Sequence, residues 1–217
     1  MIYRKTLLYF FCLSLLAVLV ACQAFKKVPQ PELLAYFTTQ PLGDTLHIEI
    51  DNEIPRKADT IPNRLFFTSI PAALLQPIEY LADSAQATVL SHAHFRLDGP
   101  ISAYWVEIRQ FWFQHHSLFL YDDSKKLFTD RITVAEWYGG DGGQVLTGSW
   151  IFDYDGDGKK DIVRREIQHS MIPKDEEPLE LIFESASILL WKNGRLEDMP
   201  FQDTAALIRR FPIRSFW

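Results

Sequence analysis

The sequence predicts a mainly β fold, an antiparallel sheet or sandwich carrying one or two short helices. Three observations predict it. From Thr88 onward the 217-residue chain is a succession of short runs in which apolar and polar residues alternate. That is the period of a pleated strand with one buried face. Turn-forming clusters break the runs roughly every eight to twelve residues, the spacing of an all-β domain. The runs are also rich in aromatic and β-branched residues, and aromatics make up 14% of the chain. Such side chains suit a half-buried pleated surface.

The elements follow in order. In Thr45-Leu46-His47-Ile48-Glu49-Ile50-Asp51, Leu46, Ile48 and Ile50 share one face, so the stretch predicts a half-buried strand. Pro55, Pro62 and mixed charge mark 51–63 as a loop, and Leu65 to Thr68 reads as a short strand. Pro71 suits the first position of a helix running to about Asp83, which Pro77 kinks or splits. Next, Val89, Ala93, Phe95 and Leu97 share one face of a strand, with Thr88, His92, His94 and Arg96 on the other. Ile101 to Phe113 follows, with Tyr104, Val106, Ile108 and Trp112 on a single face, and His115-His116 reads as turn or edge. Ser117 to Tyr121 and Leu127-Phe128 form a hairpin about the polar turn 122–126. Arg131 to Tyr138 and Gln144 to Phe152 form another, closed by Gly139-Gly140-Asp141-Gly142-Gly143. Beyond Ile162–His169 and the loop Pro173 to Pro178, Leu179 to Trp191 reads as one long strand or two, ending at the tight-turn pair Asn193-Gly194. Thr204 to Phe211 predicts a closing helix, capped by Asp203 and stopped by Pro212.

The most informative stretch is Asp153-Tyr154-Asp155-Gly156-Asp157-Gly158-Lys159-Lys160-Asp161. Carboxylates at alternating positions of a tight loop converge, and converging anions ask for a hard cation. On the register of a calcium-binding helix–loop–helix, Asp153, Asp155 and Asp157 take positions 1, 3 and 5. Gly158 takes the sharp turn at position 6, the Lys159 carbonyl position 7 and Asp161 position 9. Arg164 stands where that motif keeps its bidentate Glu, so the loop is of another kind. It resembles the loops of FG-GAP (integrin-α-type) repeats, D-x-D-x-D-G-x-x-D closing on a strand. The likeness spans Trp150 to Ile167. The resemblance implies Ca²⁺ held by Asp153, Asp155, Asp157 and Asp161 with the Lys159 carbonyl, Asp161 standing in for the missing Glu. FG-GAP repeats build β-propellers, but a propeller repeats its motif in every blade. This chain has one such loop and no second copy, so a full propeller is not expected.

The N-terminus reads as a targeting segment. Arg4 and Lys5 precede an uncharged apolar run from Leu7 to Val20, and Leu19-Val20-Ala21-Cys22 resembles the lipobox of bacterial lipoproteins. That resemblance implies cleavage after residue 21, lipidation of Cys22 and a lipid-anchored place in the cell envelope, at the outer membrane or periplasmic face. Residues 22–41, with Pro29, Pro31 and Pro41, then read as a tether, and 42–217 as a single β-rich domain. Removing residues 1–21 takes two basic residues and Cys12 away, so the formal net charge goes from −6 to −8 with one cysteine left. No disulfide is then available, and about 195 residues are enough for one sizeable core or at most two small ones.

Function is constrained mostly by exclusion. An acidic chain without a basic cluster argues against nucleic acid. No G-x-S-x-G is present, and His92-x-His94 lacks a third ligand and a carboxylate base in any zinc-hydrolase spacing. A solvated polar strand face accounts for those histidines. The glycine-rich 139–143 turn joins two strands, without the helix start that would hold a phosphate. The reading is therefore a calcium-binding envelope lipoprotein that binds a protein or glycan. The alternatives are a hydrolase whose site is assembled from dispersed acids and histidines, and a purely structural envelope component.

Overall fold

The structure, a computed structural model, describes residues 30–50, 58–78, 81, 83–140, 142–174, 177–200 and 202–214. The predicted signal and Cys22 lie outside the described residues. Ten strands form one open antiparallel sheet. They are β1 (Thr45–Ile48), β2 (Asp59–Ile61), β3 (Thr88–Asp98), β4 (Ile101–Gln110), β5 (Phe113–Asp122), β6 (Leu127–Gly140), β7 (Gly143–Phe152), β8 (Asp161–Ile172), β9 (Leu179–Lys192) and β10 (Arg195–Asp198). Four short helices lie among the described residues: α1 (Gln30–Leu34), α2 (Asn63–Ser69), α3 (Ala72–Leu75) and α4 (Thr204–Arg210).

From β2 to β10 each strand pairs with its successor. β1 departs from this order. β6 pairs with β7 only from Gly143 to Thr147, and β1 takes the rest of that edge, Thr45 opposite Phe152 and Ile48 opposite Ser149. Beyond Thr147 the β7 edge thus passes from β6 to β1.

The sheet also curves back on itself. β3 and β9 are six strands apart, about 29 Å along a flat sheet at the usual strand spacing. Yet the Trp191 indole N–H of β9 donates to Asp98 Oδ2 of β3 at 3.0 Å. The sheet is therefore curled almost into a barrel without closing. Its concave face packs Ile48, Phe95, Trp105, Leu118, Ile151, Ile162 and Trp191 into one cluster. The other face of β3–β6 is covered by the chain before β3, with Leu33, Phe37, Ile61, Leu65 and Phe66 packing on Tyr104, Val106, Ile108 and Phe119. Central strands buried on both faces explain why Ser102 to Ile108 reads as a nearly continuous apolar run.

Several expectations shift. Leu65 to Thr68 is helical, because Leu65, Phe66 and Ser69 form the buried face of α2. The helix expected from Pro71 to about Asp83 stops at Leu75, just before Pro77, which has no N–H to donate. The chain from Gln30 onward, expected as tether, is packed into the domain through Leu33 and Phe37. Leu179 to Trp191 is one strand. Trp112 sits in the β4–β5 turn, so β5 begins at Phe113 and His115-His116 are buried inside it. The closing helix stands where expected, with the Asp203 side chain accepting from Ala206 N–H at 3.0 Å. The β6–β7 connection is tighter than the expected turn over 139–143: Gly139 and Gly140 pair with Gln144 and Gly143, Asp141 lies outside the described residues, and at Gly139, with φ +128°, a Cβ would lie 2.2 Å from the Gly143 carbonyl oxygen.

Candidate metal centre

The aspartate loop, residues 153–160, joins β7 to β8, and Phe152 and Asp161 face each other across the ladder at its base. Gly156 and Gly158 both adopt positive φ, +83° and +84°, which lets the chain coil tightly enough to point carboxylates inward. Backbone N–H groups fix the orientation of those carboxylates. Gly156 and Gly158 donate to Asp153 at 2.8 and 2.9 Å, Asp157 donates to Asp155 at 3.2 Å, and Tyr154 donates to Asp161 at 2.9 Å.

Three of the four expected carboxylates come together. Asp153, Asp155 and Asp161 each offer an oxygen within 4.8 Å of the others. Asp157 lies outside that group, and its carboxylate accepts from Lys159 N–H at 2.8 Å. The loop lysines reach elsewhere: Lys159 Nζ lies 3.8 Å from Asp98, and Lys160 Nζ donates to the Gly43 and Asp44 carbonyls at 3.2 Å.

Asp161 is the anchor. It is 1% exposed, and its second oxygen accepts the Trp191 backbone N–H at 2.8 Å. Burial pushes its carboxyl above the usual carboxylate range, and the Asp155 charge adds to this against the pull of the backbone N–H groups. A buried acid made harder to ionise by a neighbouring anion is a donor set that a cation would complete. The donor atoms the three acids offer are all oxygen and carry negative charge, the set that a hard cation takes.

The buried charge in the sheet was not anticipated. β3 carries a bulge at His92: Ser91 pairs with Val106, but Ala93 pairs with Trp105. An extra residue flips every side chain beyond it. Val89 therefore packs on the helix-covered face and Phe95 on the concave one, and His92 and His94 part company. His94 stacks on Tyr104 with ring centroids 5.1 Å apart, while His92 turns to Glu107. The solvated histidine face predicted from alternation is thus replaced by two separate packed sites.

Glu107 is 1% exposed. It accepts from His92 at 2.8 Å, from Gln114 at 2.7 Å and from Arg109, and lies 3.9 Å from His116 Nε2. Burial alone would raise its carboxyl, but the His92 bond and the bonded, charged Arg109 guanidinium outweigh burial and hold it at about 2. His92, Glu107 and His116 have the composition of a metal site, but one bond argues against that use. Trp105 Nε1–H donates to His116 Nδ1 at 3.0 Å, so the proton of neutral His116 sits on Nε2, the nitrogen facing Glu107. A ligating imidazole needs the reverse, its far nitrogen donating outward.

A second network lies on the opposite face. His115 Nδ1 is 3.1 Å from Glu136 and its Nε2 is 2.6 Å from Ser117 Oγ, the order of a nucleophile, base and orienting acid. Ser117 has no exposed surface, however, and Arg131 donates to Ser117 and Thr133 at 3.0 and 2.9 Å while lying 3.2 Å from His115 Nε2. The guanidinium takes the place a substrate would need. Burial pushes His115 down, which keeps it neutral despite Glu136.

A clue to these networks existed. Glu107 stands in an aromatic and β-branched run where an unpaired acid would be prohibitive, but only the bulge register reveals its partners. One pocket among the described residues, lined by Gln40 to Gly43, Thr45, Leu46 and Phe95, holds about 80 Å³, well below the roughly 300 Å³ at which small-molecule sites begin. No family model matches the sequence, and no curated protein or solved structure matches it either.

Proposed function

We propose that this chain is a calcium-binding lipoprotein of the cell envelope, anchored through Cys22, whose activity is to bind a protein or glycan rather than to turn over a substrate. The observation that carries the reading is the convergence of Asp153, Asp155 and Asp161 around a buried, hard-to-ionise carboxylate. The Lys159 carbonyl is a further ligand of the proposed Ca²⁺, and Asp157, outside the three-acid group here, would join by turning its side chain toward the ion. The cation would neutralise the loop and tie the ends of β7 and β8 to β9, since Asp161 already bonds the Trp191 N–H. Binding rather than catalysis is favoured because, in the one serine–histidine–acid cluster described, Ser117 has no exposed surface and is bonded by Arg131.

The experiment is thermal melting with calcium, with magnesium and with chelator, on the wild type and on Asp155→Ala. At a calcium concentration ~100 times the dissociation constant, linkage adds about 2.7 kcal/mol, most of which Asp155→Ala should lose. The raised Asp161 carboxyl gives a pH signature. Its folded state holds the proton more tightly than the unfolded chain, so in chelator its contribution is full at low pH. That contribution is lost as pH rises through the raised value, and calcium should abolish the loss. A melting temperature indifferent to chelator, with no calcium uptake by calorimetry, would reduce the four aspartates to a turn.

A further inference from the structure

Because β2 to β10 form a simple up-and-down order, alternate connections emerge at opposite ends of the sheet. The aspartate loop shares its end with the turns at 99–100, 123–126 and 193–194. The other end holds the Phe111-Trp112 turn, the glycine turn between β6 and β7, and the tip of the β8–β9 hairpin. Every large hydrophobic residue that is exposed among the described residues lies at this second end. Phe111 is 76% exposed and Trp112 65%, and Phe183 of the β8–β9 hairpin is 62% exposed. In that hairpin Ile172 faces Leu179, Ser170 faces Leu181 and Gln168 faces Phe183. Leu179, Leu181, Phe183 and Ile172 therefore line one face, with Ile182 on the reverse. Across the sheet the two apolar hairpins are four strand spacings apart, about 19 Å. Exposed apolar surface gathered at one end of a molecule marks a surface that something covers.

The path of the chain says what covers it. Thr39 bridges His94 in parallel, Thr38 and Gln40 bond the His94 backbone, and the Tyr36 carbonyl accepts from Ser91 Oγ. Residues 36–40 thus run alongside β3 in its own direction, from the apolar end toward the metal end. The chain before them, back through α1, therefore enters the domain at the apolar end. Eight residue steps separate Cys22 from Gln30, a reach of at most about 28 Å when fully extended. A lipid on Cys22 would hold the apolar end against the bilayer and turn the aspartate loop away from it.

We propose that this end of the sheet is a membrane-contact surface, with Phe111, Trp112 and the β8–β9 hairpin seated in the lipid interface. The proposal rests on the lipid-anchor reading for its orientation. Aromatic and aliphatic side chains on rigid hairpins are the chemistry of interfacial seating. The charged residues beside the tips in sequence are mostly acidic, Arg109 and Lys174 against Asp175, Glu176, Glu177, Glu180 and Glu184, with no basic cluster. The contact should therefore need no anionic lipid and resist salt, unlike a polybasic docking site.

The test uses the full chain reconstituted into phosphatidylethanolamine–phosphatidylglycerol vesicles, with and without a shallow doxyl-labelled lipid. Trp112 emission is taken as the difference between the wild type and Trp112→Phe. The anchor is scored separately by lipid mass on the N-terminal peptide. The expected result is at least twofold quenching of the Trp112 component by doxyl lipid, unchanged at high salt, and strongly reduced in Leu181→Glu/Phe183→Glu. Quenching that persists in Cys22→Ser supports the surface even if the anchor reading fails. An unquenched Trp112 on a chain with lipidated Cys22 overturns the surface and leaves the anchor standing. A Trp112 shielded from aqueous iodide without vesicles, in a chain that sediments as a dimer, also overturns it and makes the patch a contact between copies.

Discussion

Replacing Glu107 by Gln removes the charge at the centre of the buried network while keeping the shape of the side chain. In the folded chain this carboxyl is held at about 2, against 4.5 for the unperturbed group. Because the folded value is depressed, the stabilisation is fully present above 4.5 and is lost as pH falls toward 2. At about 1.4 kcal/mol per tenfold change in proton affinity, the interaction amounts to about 3 kcal/mol, the size expected for breaking a buried charge pair. Urea unfolding of the wild type and Glu107→Gln from pH 6 to pH 3 isolates the effect, since other carboxylates titrate in both proteins and cancel in the difference. The gap in stability should be about 3 kcal/mol at pH 6 and shrink to about 1 kcal/mol at pH 3. A gap that stays constant across that range would refute the reasoning, because the charge of Glu107 would then contribute nothing. So would a gap below about 0.5 kcal/mol at pH 6, the scale of an ordinary surface substitution.

Two further outcomes follow from the same structure. Arg165, buried in β8, donates to the Ile208 and Phe211 carbonyls at 2.8 and 2.6 Å and to Ser185 O at 3.0 Å, and pairs with Glu184. Arg165→Met should cost about 2–4 kcal/mol by orphaning those carbonyls and should speed hydrogen exchange in α4 selectively; unchanged α4 protection would mean the helix is held by packing alone. Treated with a fluorophosphonate probe, the native chain should carry no adduct on Ser117, because it is fully buried and bonded by Arg131. A stoichiometric adduct that disappears in His115→Ala would instead promote the hydrolase reading.

The sequence by itself determined most of the β framework and the local geometry of the aspartate loop. Alternation marks strands because the side-chain period is two, and Gly156, Gly158, Gly139 and Asn193-Gly194 mark turns because only certain residues tolerate positive φ. The orientation of Asp153 and Asp155 comes from backbone N–H groups within a few residues, so it too was legible. What only tertiary structure decided depends on register and curvature, which no local pattern encodes. One extra residue at His92 moved Phe95 to the opposite face from Val89, separated His92 from His94 and brought His92 to Glu107. The curl of the sheet brought Asp98 to Trp191. Burial of Asp161 beneath β9 likewise follows from pairing between strands distant in the chain, as does the gathering of Phe111, Trp112 and Phe183 at one end. Periodicity says which residues share a strand face; only the paired, curled sheet says which neighbour that face meets.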